Sequence, residues 1–402
     1  MWTLAELRIA WISEAPSGSD RVRLLLVVGA RPNFVKAEPL LRAFDASDRV
    51  DALLIHTGQH YDPSLSSELF ADLGLRAPDR HLGIGSGSRA QQVANIAIAF
   101  EPVCLETKPD QIVVVGDVNS TLAAALVAQG LGVPLAHVEA GLRSRDRTMP
   151  EEINRLLTDI LCDTLFTSTV EAGENLIREG VDEARIHFVG NVMIDTLLRL
   201  MPKARERAIF NRWGLGIQSY ALATVHRPGN VDEPGALNRL AQILMDTARQ
   251  IPTVFSIHPR TMLRLRESGL TAELESAAGF FSIYPPLSYI DFLNLMMNAR
   301  VVLTDSGGIQ EETTVLGIPC LTLRPNTERP ITLSLGTNRL VGTDPPSVRA
   351  ALKVTLDSPM PDPVQLPMWD GQAADRIAKI LIRNHDLMAD SGPLPADQAE
   401  GT

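Results

Sequence analysis

The chain predicts an α/β protein made of two successive doubly wound parallel sheets. Short, continuous apolar runs alternate with helical periodicity from about Val22 onward, and the same pattern restarts at Tyr220. Uninterrupted apolar runs, unlike alternating ones, belong to strands covered on both faces, as in parallel sheets with helices on each side. At 402 residues the chain also exceeds what one ordinary core accommodates, so two domains are expected.

In order, the first unit is expected to hold strands at Val22–Val28, Ala52–His56, Gln111–Val115, Pro134–Val138, Thr164–Thr167 and Ile186–Val189. The second is expected to hold Tyr220–Val225, Val254–Ile257, Phe281–Tyr284, Val301–Thr304, Pro319–Leu323 and Arg339–Val341. A junction is placed near Asn191–Arg212. The division is thus an extension over 1–20, a first domain over 21–190 and a second over 191–370. The tail, 386–402, is rich in Ala, Asp, Gly and Pro and has little to bury.

With 45% hydrophobic and 21% charged residues the composition is globular, and a formal net charge of −11 argues against nucleic acid or an anionic membrane as partner. The opening residues lack a basic start and a clear cleavage site, and no apolar run reaches the ~18–20 residues of a span. Three scattered cysteines (Cys104, Cys162, Cys320) have no metal-ligand spacing and suit a reducing cytoplasm.

Ligands of doubly wound sheets collect beyond the carboxyl ends of the strands. Those positions here carry Arg31, Gly58-Gln59-His60, Gly116-Asp117, Glu139, Asn191, His226-Arg227, His258 and Asp305-Ser306. The stretch Thr304 to Glu312 reads as strand, glycine turn and helix start, whose bare N–H groups suit phosphate and whose carboxylate suits a ribose diol. Other readings stay open for several of these residues. Glu151 and Arg155, four apart on a helix, form either an ion pair or part of a site. Asp117 either caps the helix that begins near Asn119 or acts chemically. His226 is either a packing residue or an anion contact, with Arg227 beside it.

The motifs GARPNFVKAEPL, TGQHYD, VVGDVNSTLAAA, HVEAGLRS, MPEEINR, VGNVMIDTL, VHRPGN, LTDSGGIQEET and NTERP follow one another in this order. Over roughly Leu24 to Ile382 the chain thereby resembles the non-hydrolysing UDP-N-acetylglucosamine 2-epimerases. The resemblance implies a GT-B fold, two Rossmann-like domains facing a central cleft, with a last helix (371–385) returning to the first domain. It implies a cytoplasmic homodimer that interconverts UDP-GlcNAc and UDP-ManNAc through UDP elimination, a 2-acetamidoglucal and re-addition, without nicotinamide or metal. It places catalytic roles at Asp117, Glu139, Glu151 and His226. Substrate contacts fall on Arg31, Lys36, Arg155, Phe292, Ser306, Gly307, Gly308, Glu312 and Arg329, with Phe292 near the uracil. Read without the resemblance, Phe292 is a core aromatic. Asn33 stands where many relatives carry Glu, which alters the charge around Arg31. Gln59 and His60 fit the region where some relatives bind a second, activating UDP-GlcNAc.

Overall fold

A computed structural model describes residues 21–59, 69–276 and 281–390. The 1–20 extension, His60 and the tail beyond Asp390 lie outside those residues, as does the side chain of Arg31. The chain divides into two compact units, 1–196 with 368–402, and 197–367.

The first unit is built on a seven-stranded sheet: β1 (Val22–Val28), β2 (Val50–His56), β3 (Arg80–His81), β4 (Gln111–Val115), β5 (Leu135–Ala140), β6 (Thr164–Thr167) and β7 (Ile186–Phe188). Every pairing is parallel and the order is β3-β2-β1-β4-β5-β6-β7. β4 and β5 are buried along their whole length, which explains their unbroken apolar runs. Beneath them Leu25, Val27, Ile112, Val114 and Leu135 pack with Phe100 and the small residues Ala124 and Ala128 of the flanking helices. Such alanines let a helix approach the sheet closely.

The second unit repeats the plan with β8 (Ala221–Thr224), β9 (Thr253–Ser256), β10 (Phe281–Tyr284), β11 (Val301–Thr304), β12 (Cys320–Thr322) and β13 (Asn338–Leu340). Its order is β10-β9-β8-β11-β12-β13, again all parallel. In each sheet the order reverses at one place, between β1 and β4 and between β8 and β11. Those are the switch points at which doubly wound sheets bind ligands.

Two differences from the sequence reading have plain causes. β3 was not foreseen, because a two-residue, exposed Arg-His edge strand carries no apolar signal. β5 runs on to Ala140 instead of ending at Val138, with a register irregularity between Val138 and Ala140. Toward the end of the chain, the helix Ala373–Asp390 packs on the helix Arg31–Asp45 within the first unit, so 386–390 are helical and not tail. Asp195 receives the backbone N–H groups of Ala373 (3.2 Å) and Ala374 (2.8 Å), and Thr196 Oγ1 donates to Val35 O at 2.7 Å. These bonds hold the chain to the first unit as far as Thr196, inside the helix Val192–Arg207.

Candidate active site

At the switch point of the first sheet, the Gly116-Asp117 turn after β4 and the end of β5 come together. Gly116 has φ 68°, and a Cβ there would sit 3.3 Å from Lys36 Nζ and 3.8 Å from Glu139 Oε2. Lys36, on the helix after β1, forms a buried ion pair with Glu139. Glu139 is the irregular residue of β5 and adopts φ 75°, a conformation rare for a residue with a Cβ. The backbone is therefore bent where it presents this carboxylate, as strand bulges beside active sites commonly are.

Asp117 does not cap the following helix, whose N-cap is Val118 and receives no side-chain bond. Its carboxylate pairs with Arg155, and its backbone carbonyl accepts from Asn154 Nδ2 at 2.8 Å. Arg155 is 2% exposed and also meets Glu152 at 3.1 Å, so the Glu151–Arg155 pair suggested by i, i+4 spacing is not formed. Glu152, not singled out from the sequence, is the buried partner. It accepts from Ser144 N (2.8 Å), Ser144 Oγ (2.9 Å) and Arg145 N (2.9 Å), closing the loop that leads to the helix Pro150–Leu161. Glu151, in the first turn of that helix, is half-buried and has no hydrogen bond or ion pair among the described residues. An acid left uncommitted at a positive helix end is available to a ligand.

Asn33 is a turn-former. Its Oδ1 accepts from Gly29 N and Ala30 N, both at 3.2 Å, and its Nδ2 donates to Val115 O at 2.9 Å. Gln59 likewise is committed, accepting from Ser120 N (3.1 Å) and Ser120 Oγ (2.8 Å).

In the second unit Asp305, fully buried after β11, organises the loop after β8. It accepts from His226 N (3.1 Å), Arg227 N (2.8 Å) and Asn230 Nδ2 (2.9 Å), with His226 Nδ1 at 3.4 Å. Ser306 is the N-cap of the helix Gly307–Leu316 and makes no side-chain cap bond. A Cβ at Gly307 would meet Glu328 Oε1 at 2.6 Å, so a larger residue there would displace that buried carboxylate. Gly308 follows in the half-open first turn. Around this helix mouth Arg329 meets Glu311 (2.8 Å), Arg324 meets Glu328 (2.7 Å) and Arg227 meets Glu328 (3.3 Å). Burial, with repulsion from Arg227 and Arg329, holds the Arg324 pKa below its usual value despite Glu328. Arginine side chains gathered at a helix N-terminus suit an anionic ligand.

One turn into the same helix Glu312 accepts from Tyr289 Oη at 2.6 Å, while Phe292, half-buried, stands three residues beyond Tyr289 on the helix Tyr289–Asn298. Tyr289 carried no signal of its own in the sequence. Burial, reinforced by neighbouring Glu311, raises the Glu312 carboxyl from 4.5 to about 7. A raised carboxyl pKa favours the folded state below the unfolded value, and that advantage is lost as pH rises through the folded value. Glu312→Gln should therefore flatten the fall in stability between about pH 4.5 and 7, worth about 3 kcal/mol, in denaturation measured across that range. An unchanged pH slope would refute the assignment.

A family model described as UDP-N-acetylglucosamine 2-epimerase matches residues 42–382. The chain belongs to that family. Its members include a UDP-N-acetylglucosamine 2-epimerase from Methanocaldococcus jannaschii, 41% identical over 90% of this chain and 99% of its own length. A UDP-2,3-diacetamido-2,3-dideoxy-D-glucuronate 2-epimerase from Pseudomonas aeruginosa is 37% identical over 90% of this chain and all of its own. The crystal structure of the Methanocaldococcus jannaschii UDP-GlcNAc 2-epimerase in complex with UDP-GlcNAc and UDP matches with a TM-score of 0.84, at 40% identity over 90% of this chain and all of that one. The GT-B-like pair of α/β domains expected from the motifs is thus borne out. Family membership puts the chain among epimerases, not among glycosyltransferases or non-enzymatic sugar-nucleotide sensors.

Proposed function

We propose that this protein interconverts UDP-N-acetylglucosamine and UDP-N-acetylmannosamine. The observation that carries the reading is the pair of carboxylates, Asp117 and Glu139, each held beside a buried cation at the switch point of the first sheet. No carbonyl activates the C2 proton of the sugar, so simple abstraction is too slow. The C1–O bond breaks first, and UDP departs with the electron pair. The cation that develops at the ring acidifies C2–H, and a carboxylate takes that proton to leave a 2-acetamidoglucal. Protonation of C2 from the opposite face and return of the UDP oxygen to C1 invert the centre.

Asp117, Glu139 and Glu151 serve collectively in proton transfer and in stabilising the ring cation. Arg155 and Lys36 orient Asp117 and Glu139. His226 and Arg31 act on the leaving diphosphate. The Ser306-Gly307-Gly308 amides and Arg329 hold phosphate, Glu312 the ribose and Phe292 the uracil. Preorganised charge of this kind is commonly the largest catalytic term. Such a substrate belongs to the cytoplasm.

The test is incubation with UDP-GlcNAc in deuterated water, followed by NMR. UDP-ManNAc with deuterium at C2 is expected, and free ManNAc as sole product, or transfer to an acceptor, would overturn the reading. The 37% identity to the diacetamido-glucuronate enzyme makes that nucleotide sugar the second substrate to assay.

We infer that the working form is a homodimer. Ile98 (70% exposed) and Ile160 (69%) lie on helices packed on either side of the helix Asn119–Leu131, whose Leu126 is also exposed. Apolar groups so arranged suit a second copy of the same surface. Ile160→Asp should yield monomers in light scattering; an unchanged mass would exclude this face.

A further inference from the structure

Behind the carboxylates lies a buried pair that the mechanism above leaves unused. His137 of β5 is fully buried, with Nε2 at 2.8 Å from Gly116 O and Nδ1 at 2.6 Å from Asp159 Oδ1. A carbonyl oxygen can only accept, so Nε2 carries a hydrogen. The other oxygen of Asp159 receives Gly141 N–H at 3.1 Å and Arg143 Nη2 at 2.7 Å, a donor set that suits a carboxylate. Burial opposes that ionisation, yet His137 and Arg143 together hold the Asp159 carboxyl below its usual range. Facing an ionised oxygen, Nδ1 must carry a hydrogen as well. An imidazole with hydrogens on both nitrogens is a cation.

We propose that His137 is a positioning residue whose ion pair with Asp159 sets the spacing between the turns carrying Asp117 and Glu139. One end of the pair grips Gly116 O, next to Asp117; the other grips Gly141 N, two residues past Glu139. Gly116 N also donates to Val138 O at 3.0 Å, so the two turns are tied on both sides of the histidine. The charges alternate outward from it: Asp159, then Arg143, then Glu179, which takes Arg143 Nη2 at 2.7 Å. Cys162, the other titratable group beside Asp159, is kept a neutral thiol by burial and by Asp159 and Asp163. Among the described residues, the ring's hydrogen-bond partners are Asp159 and Gly116 O. The role rests on the epimerase reading, since it acts through Asp117 and Glu139.

The test begins with the wild-type protein labelled with ¹⁵N-histidine, the His137 signals being assigned by their loss in His137→Gln. Two protonated ring nitrogens are expected, whereas a neutral histidine carries one. Steady-state kinetics of His137→Gln should show kcat down about 10²-fold, the scale of an ångström-sized misplacement, with KM for UDP-GlcNAc within about threefold. Asp159→Asn, which still offers an oxygen to Gly141, gives the same split if His137→Gln does not fold. A ring with a single protonated nitrogen, or variants with wild-type kcat, would overturn the proposal. If the wild-type protein does not epimerise UDP-GlcNAc, the functional reading falls, while the ring signature still reports the charge.

Discussion

Glu139→Gln is expected to abolish turnover and destabilise the fold together, while UDP binding persists. The amide cannot take the C2 proton or neutralise a ring cation, so kcat should fall by about 10²–10⁴-fold, the contribution of one well-placed acid–base group. The second effect comes from Lys36, which is 7% exposed and meets Glu139 in a buried ion pair. Removing one partner of such a pair leaves a charge uncompensated, typically at a loss of about 3–5 kcal/mol. Urea unfolding should detect it. Adding Lys36→Met to Glu139→Gln replaces the stranded ammonium with an apolar group of similar length. That double variant should recover most of the stability and none of the activity. The nucleotide contacts proposed above lie on other residues, so UDP affinity measured by calorimetry should change little. Turnover near wild type in Glu139→Gln would remove this residue from the mechanism.

The strands were legible in the sequence because parallel sheets covered on both faces write themselves as unbroken apolar runs. Gln111–Val115, Thr164–Thr167, Phe281–Tyr284 and Val301–Thr304 have the bounds the sequence suggested. The exposed Arg80–His81 edge had no such signature. The candidate residues were legible as positions, since strand ends can be counted, but their partners were not. Spacing along one helix pointed from Arg155 to Glu151, whereas a buried guanidinium takes whatever acceptors the fold brings to it, here Asp117 on another element and Glu152. The positive φ of Glu139 was equally hidden, because a glutamate gives no warning of a left-handed backbone. His137 looked like any apolar strand residue until both its nitrogens were seen to face acceptors.

The two switch points use a carboxylate in different ways. Asp117 turns its charge toward Arg155, a cationic side chain, whereas Asp305 spends its oxygens chiefly on backbone N–H groups, with the neutral Asn230 amide on one of them. Charge alone does not distinguish them; what each oxygen accepts does. A carboxylate saturated by peptide N–H groups shapes a loop, and one paired with a side chain can exchange that partner for substrate during a reaction.

Asp305→Asn should accordingly act on stability and nucleotide affinity together. Asp305 is fully buried, and both its oxygens accept from the His226-Arg227 backbone, with Asn230 Nδ2 on one of them. An amide must turn an NH₂ toward one of these sets of donors, whichever way it is flipped. With its oxygen at the Oδ2 position the amide keeps His226 N, Arg227 N and Asn230 Nδ2, but its NH₂ then faces His226 N–H and the negative charge these donors surround is gone, a loss on the order of 2 kcal/mol in chemical unfolding. The loop then no longer holds His226 and Arg227 in place, and Arg227 drifts from Glu328 beside the mouth of the Gly307–Leu316 helix. UDP affinity should fall about tenfold in calorimetry, the scale of one charge-assisted hydrogen bond. Asn230→Ala removes a single donor and leaves the carboxylate intact, so its effect should stay near 1 kcal/mol, with affinity nearly unchanged. If Asp305→Asn unfolds and binds UDP as the wild type does, the buried carboxylate does not organise this loop, and the arginines at the helix mouth owe their arrangement to something else.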